Sequence, residues 1–223
     1  MVHVKICGIR YAEDAEEAVK AEATALGFNF WKRSPRYIAP EEAARIIASV
    51  PEPVWTVGVF VDEAPERVLE IAQKTGVSTL QLHGSESPEY LERLGPIPII
   101  KAFKVGKDFQ PEQLRRYHTA TAFLLDGFVA GLPGGTGRTF DWSLAEKAGS
   151  YGRIILAGGL TPANVVMAIR QVRPWGVDVC SGVEREPGKK DPRQMREFIQ
   201  AVRAATEALA TASPAGSALE RTS

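Results

Sequence analysis

Arg153-Ile154-Ile155-Leu156-Ala157-Gly158-Gly159-Leu160-Thr161-Pro162-Ala163-Asn164 compresses a strand, a turn and a helix start into one short segment. The run Arg153 to Ala157 is short, apolar and closed by glycines, as a buried strand should be. Thr161-Pro162 then reads as a helix entry, with Thr161 as a candidate cap and proline in the first turn. After the helical stretch comes a second short apolar run, Gly176 to Ser181. Strand, helix and strand in this order form a unit that feeds a parallel sheet.

The same alternation extends over most of the chain. The strand candidates are Val2 to Ile9, Ala25 to Phe30, Val54 to Val61, Thr79 to His83, Pro98 to Phe103, Ala122 to Asp126, Arg153 to Ala157 and Gly176 to Ser181. Amphipathic stretches fall between and after them, with a clear start at Ala39-Pro40-Glu41-Glu42 and the faintest pattern at Pro111 to Tyr117. Eight such repeats imply an α/β fold, a single (β/α)8 TIM barrel over residues 1–205, at the compact end of a size range centred on about 250 residues. A doubly wound open sheet would more naturally carry a GxGxxG turn after its first strand, where this chain has Cys7-Gly8-Ile9-Arg10. The stretch from Thr206 to Ser223 is rich in Ala, Ser and Thr, lacks apolar period and is expected to be a disordered tail.

Composition narrows the class of function. With 44% hydrophobic and 24% charged residues the chain has the make-up of an ordinary globular domain, and no run approaches the roughly eighteen apolar residues of a membrane span. Met1 to Lys5 lack the layout of a secretion signal, so we expect a cytoplasmic protein with no membrane partner. The 27 basic and 27 acidic residues cancel, which argues against a nucleic-acid partner and means that any anionic ligand must be held locally. Cys7 and Cys180 have neither a disulfide-framework nor a metal-ligand spacing, and no metal is expected.

Parallel barrel strands are usually apolar on both faces, and a buried polar group without a partner costs about 1–3 kcal/mol. Polar residues nevertheless interrupt four strands at matching parity: Lys5 and Cys7 in the first, Gln81 and His83 in the fourth, Asp126 at the end of the sixth, Asp178 and Cys180 in the eighth. Singly, each has a structural explanation, such as an interior Lys5–Asp178 ion pair or a hydrogen-bonded core His83. Together they converge on the C-terminal rim, where TIM barrels build active sites. The glycine turns Gly158-Gly159 and Ser181-Gly182 follow strands seven and eight, the usual phosphate position, where backbone N–H groups can approach an anion. Gly131 to Gly137 is long enough to be a lid over this rim.

These residues resemble the phosphoribosylanthranilate isomerase family of tryptophan biosynthesis. The resemblance is carried by Lys5-Ile6-Cys7-Gly8-Ile9, Gly27-Phe28 with Ser34-Pro35-Arg36, Gln81-Leu82-His83-Gly84, Gly134-Gly135-Thr136-Gly137 with Phe140-Asp141-Trp142, Ala157-Gly158-Gly159-Leu160, and Gly176 through Glu184. The family pattern usually has Ser-Ser-Gly where this chain has Cys180-Ser181-Gly182. The resemblance implies a cofactor-free Amadori rearrangement, with Asp126 as general acid, Cys7 as general base and Arg36 paired with the substrate carboxylate. It further implies Lys5, His83, Asp178, Gly158, Gly159, Ser181 and Gly182 as substrate-binding residues, phosphoribosylanthranilate as the small-molecule partner, and a monomer or homodimer.

The chemistry sets demands on these groups. A free thiol with a pKa of about 8.5 is mostly protonated at neutral pH, so a cysteine base needs a neighbouring cation, for which Lys5 on the same strand face is the candidate. A carboxyl acting as an acid at neutral pH must retain a proton, through burial or a carboxylate neighbour. Cys7 and Cys180 lie on adjacent strands of a closed barrel; a disulfide would consume the base, and reduced cytosolic thiols argue against it. The alternatives are another sugar-phosphate barrel, such as the histidine-pathway isomerase or indole-glycerol-phosphate synthase, and a silent phosphate-binding barrel. Paired aspartates would mark the first, and a lysine with glutamates the second. A cysteine on strand one fits neither.

Overall fold

The structure, a computed structural model of the chain, describes residues 1–106, 108–127 and 142–212. Eight parallel strands close into one barrel in chain order: β1 (His3–Cys7), β2 (Ala25–Asn29), β3 (Trp55–Phe60), β4 (Thr79–Leu82), β5 (Ile99–Lys104), β6 (Ala122–Asp126), β7 (Ile154–Ala157) and β8 (Gly176–Val179). Closure is made by β8 against β1, with Lys5 in register with Asp178. Around the barrel run α1 (Ala12–Lys20), α2 (Pro40–Ile47), α3 (Pro65–Thr75), α4 (Pro88–Glu92), α5 (Trp142–Ala148), α6 (Val165–Val172) and α7 (Pro192–Ala212). A short hairpin, β9 (Glu184–Glu186) with β10 (Lys189–Lys190), precedes α7. Proline opens α2, α3 and α4 at a first-turn position, where its missing N–H costs nothing.

The eight strands and the barrel agree with the sequence pattern, and the differences have local causes. β1 ends at Cys7 because Gly8, at φ +78°, turns the chain out of the sheet. The fifth helical stretch is a 3₁₀-helix, Pro111–Arg116, whose buried residues Pro111 and Leu114 follow its three-residue period. Thr161 does not cap α6 with its side chain; its backbone N–H donates instead to Asn164 Oδ1 at 2.8 Å. The expected tail from Thr206 is helical as far as Ala212, since Ala205 and Leu209 continue the buried stripe of Met195, Phe198 and Val202. Residues 213–223 and the candidate lid at Gly131 to Gly137 lie outside the described residues. No described helix is long and apolar enough to cross a membrane.

Alternation along each strand sorts the core into two layers. Val4, Ile6, Leu26, Phe28, Leu80, Leu82, Val177 and Val179 face the helices. The barrel interior is apolar on one side, where Val57, Ile100, Ala102, Leu124, Ile155 and Ala157 pack together. Its N-terminal mouth is closed by stacked aromatic rings, His3 lying 4.8 Å from Trp55 and 4.4 Å from Trp175. Lys5 and Asp178 at the β1–β8 seam and Gln81 on β4 also face the interior, all buried.

One buried pair braces the rim from outside the barrel. Lys101 Nζ lies 2.8 Å from Glu86 Oε2 and 2.8 Å from the Gly84 carbonyl oxygen, while Glu86 accepts from the N–H groups of Asp62 and Gly84. This ties the turn after β4, which bears His83, to β5. Removing one member of such a pair strands a buried charge. Lys101→Met is therefore expected to lower unfolding free energy by about 3–5 kcal/mol, with part of the loss restored by adding Glu86→Gln, as read by urea denaturation.

Candidate active site

The C-terminal rim encloses a cleft of about 400 Å³ lined by Cys7, Arg36, Gln81, His83, Asp126, Gly158, Gly159, Asp178, Ser181 and Gly182, among others. Every site residue expected from the sequence is in that lining except Lys5. Lys5 lies one inward-facing position below Cys7 on β1, is 3% exposed and forms part of the floor's support. Its Nζ lies 2.8 Å from Asp178 Oδ1 across the β1–β8 seam. The structural reading of an interior ion pair is thus correct, and a direct ligand contact by Lys5 is not what the geometry offers.

The lysine can also reach Cys7 because its neighbour on β2 is glycine. A Cβ at Gly27 would fall 2.9 Å from Cys7 Sγ and 3.0 Å from Lys5 Nζ, so a larger residue would occupy the space these two groups share. The motif glycine Gly27 was not recognised as a site residue, though its pairing with Cys7 in a closed barrel is the signal that finds it.

Several groups favour the thiolate form of Cys7. Cys180 beside it lowers its pKa most, burial works against the charge, and Lys5 and then Lys190 favour it, leaving the Cys7 pKa well below the usual cysteine value. Cys180 shifts the other way, pushed up by Cys7 beside it and by burial. Both thiols are free, so the disulfide considered from the sequence is not formed. Burial opposes the Lys5 ammonium, but Asp178 and Cys7 outweigh it and its pKa sits above the lysine norm. Burial pushes Asp178 up to about 6, with Lys5 limiting the rise.

On the other flank, His83 Nε2 is 3.3 Å from Asp126 Oδ2, and His83 Nδ1 is 2.9 Å from Gln81 Nε2. Donation by the Gln81 amide to Nδ1 assigns the imidazole proton to Nε2, aimed at Asp126. Gln81 is 1% exposed, and its Oε1 has no hydrogen-bond partner among the described residues.

The two glycine turns lie between these flanks. Gly158 and Gly159 have φ of +83° and +67°. A Cβ on Gly158 would sit 2.4 Å from Gly127 N and 2.6 Å from Asp126 Oδ1, and one on Gly182 would sit 1.9 Å from the Leu160 carbonyl oxygen. Gly159 instead faces open space. The turns therefore pack against each other and against Asp126, with no room for a side chain at Gly158 or Gly182.

Arg36 is already paired within the protein. Its Nε and Nη2 lie 2.9 Å and 2.7 Å from the two oxygens of Glu184, which leaves Nη1 as the nitrogen outside this pair. The sequence reading also missed Lys190, whose Nζ is 2.9 Å from Glu184 Oε1; the run Glu184 to Asp191 looks like a solvated charged loop, and only the β9–β10 hairpin turns this lysine inward.

A sequence model of the family described as N-(5'phosphoribosyl)anthranilate (PRA) isomerase matches residues 4–201. The N-(5'-phosphoribosyl)anthranilate isomerase of Trichlorobacter lovleyi is 50% identical over 201 residues, covering 90% of this chain and 97% of that protein. The crystal structure of phosphoribosyl anthranilate isomerase from Thermotoga maritima superposes with a TM-score of 0.86 at 44% identity, over 92% of this chain and all of that one. A further structure of the enzyme in complex with reduced 1-(o-carboxyphenylamino)-1-deoxyribulose 5-phosphate gives a TM-score of 0.82 at 42% identity, with 92% and 100% coverage.

Two outcomes test the site's construction. Lys5→Met withdraws a cation from beside a thiolate, so the acidic limb of the kcat/KM profile, where the base is lost to protonation, moves to higher pH; an unmoved limb would contradict the assigned influence. Gly182→Ala forces the Leu160 backbone to shift and is expected to raise KM about tenfold or more, whereas Gly159→Ala costs mainly left-handed strain of about 1–2 kcal/mol. With its fold, its site residues and these matches in agreement, the chain belongs to the N-(5'-phosphoribosyl)anthranilate isomerase family.

Proposed function

We propose that the chain converts N-(5-phosphoribosyl)anthranilate to 1-(o-carboxyphenylamino)-1-deoxyribulose 5-phosphate in the cytoplasm, as a step of tryptophan biosynthesis. The observation that carries this reading is the joining of Cys7, Asp126, Arg36 and both glycine turns in one cleft. The substrate has two anionic ends, and the cleft has two places for them. The Gly158-Gly159 and Ser181-Gly182 turns suit the phosphate, and Arg36 suits the carboxylate. In barrel order the turns after β7 and β8 fall between Asp126 on β6 and Cys7 on β1. A ribose anchored there by its phosphate lies between an acid and a base.

Asp126 then protonates the ribose ring oxygen, opening the ring to a Schiff base. Cys7 removes the C2′ proton to give the enolamine, which tautomerises to the ketose. The His83 Nε2–H faces the Asp126 carboxylate that remains once the proton has left, and Gln81 keeps the imidazole in that tautomer. The groups that favour the Cys7 thiolate belong to the protein and are in place before substrate arrives. The structure of a relative bound to a reduced form of the product supports this substrate class.

The test is turnover of freshly generated phosphoribosylanthranilate, followed by loss of its fluorescence. Wild type is expected to be active, and Cys7→Ala and Asp126→Asn each to lose about 10²–10⁴-fold in kcat. An inactive, folded wild type would overturn the reading.

A further inference from the structure

Lys190 lies 0% exposed under the cleft. Its backbone N–H donates to Asp14 Oδ2 at 3.2 Å. Its Nζ reaches Glu184 Oε1 at 2.9 Å, the Cys180 carbonyl oxygen at 3.2 Å and Cys180 Sγ at 3.7 Å. A fully buried ammonium is costly, and an apolar residue of the same size would stabilise the fold as well or better. Its position therefore calls for a reason beyond packing, and its neighbours supply one.

Glu184 is the hinge of the arrangement. One carboxylate accepts from Arg36 through two nitrogens and from Lys190, while Cys180 Sγ also lies 3.9 Å from Glu184 Oε1. The Cys180 S–H thus points to Glu184, and Lys190 joins the same cluster through Glu184 and the Cys180 carbonyl oxygen.

We propose that Lys190 and Glu184 are a positioning pair for the isomerisation: Glu184 holds Arg36 by Nε and Nη2, leaving Nη1 for the substrate carboxylate, and Lys190 fixes Glu184 in place and sets a cation beside the thiols of Cys180 and Cys7. The proposal rests on the roles given above to Arg36 and Cys7. Neither member touches the reacting atoms; both act through residues that do. The charged and titratable groups facing Cys7 are Lys5 and Asp178 from the β1–β8 seam, and Cys180, Lys190, Glu184 and Arg36 from the β8 turn, the hairpin and the β2–α2 loop.

The pair makes a prediction of sign that general disruption does not. Lys190→Met removes a cation from beside the two thiols, and Glu184→Gln removes an anion. The pH dependence of Cys7 alkylation by iodoacetamide, read by peptide mass spectrometry without substrate, should move up by about one pH unit in Lys190→Met and down in Glu184→Gln. Both variants should raise KM for phosphoribosylanthranilate about tenfold, since each loosens Arg36. Lys190→Arg, which keeps the charge, should return the alkylation midpoint to within about half a unit of wild type. Midpoints that stay put or move in the same direction in both variants, with KM within about twofold of wild type, would overturn the proposal. If Lys190→Met does not fold, Glu184→Gln decides alone: a lowered midpoint with raised KM supports the pair, and an unmoved midpoint refutes it. A wild type that turns over no substrate would sink the functional reading, while the alkylation midpoints would still judge the pair.

Discussion

The Lys5–Asp178 ion pair across the β1–β8 seam is the interaction around which the site is organised. It lies at the closure of the barrel and immediately below Cys7. A buried pair of this kind is a weak source of stability, because desolvation of two charges offsets much of their attraction. The apolar half of the same interior shows what packing alone would favour: Val57, Leu124 and Ile155 fill it without any charge. Burial pushes Asp178 up to about 6 even with Lys5 beside it, so the pair is held at a cost that other parts of the fold must cover. What it provides is a fixed positive charge one layer beneath the rim, where it favours a thiolate at Cys7 without meeting solvent.

From that constraint several sequence features follow. Gly27 must be small, because Lys5 and Cys7 share the space above it. Gly8 must turn at positive φ so that Cys7 ends its strand at the rim, where a Cβ on Gly8 would meet Arg36 and Cys180. Cys180, beside Cys7 across the β1–β8 seam, is the group that lowers the Cys7 pKa most. Gly158 packs against Gly127 and Asp126, and Gly182 against Leu160, so neither position has room for a side chain.

The fold was legible in the sequence because barrel strands and helices declare themselves by periodicity, and the errors fell where periodicity is weakest. Pro111–Arg116 has the apolar spacing of a 3₁₀-helix, too short to separate from a loop by pattern. The end of α7 reads as tail because alanine and threonine carry little apolar signal, although Leu209 continues the buried stripe. The residues that line the cleft were legible because strand parity places them: Cys7, His83, Asp126 and Asp178 are all inward-facing positions at or near strand ends. Lys5 was placed on the correct face but one layer too high, since parity gives a direction and not a depth. Arg36 was recognised without its partner, and Lys190 was missed, because both depend on a hairpin whose inward turn is set by tertiary contacts with Asp14 and Cys180.

The account's central claim is that the protein itself, before any ligand binds, holds Cys7 as a thiolate. It is tested most directly by the ultraviolet thiolate absorbance of the ligand-free protein as a function of pH, with Cys7→Ser as the blank. The account predicts a Cys7-dependent band that is already present at neutral pH and disappears only on acidification well below the ordinary thiol range. A band that emerges only near the ordinary cysteine pKa of about 8.5 would contradict it.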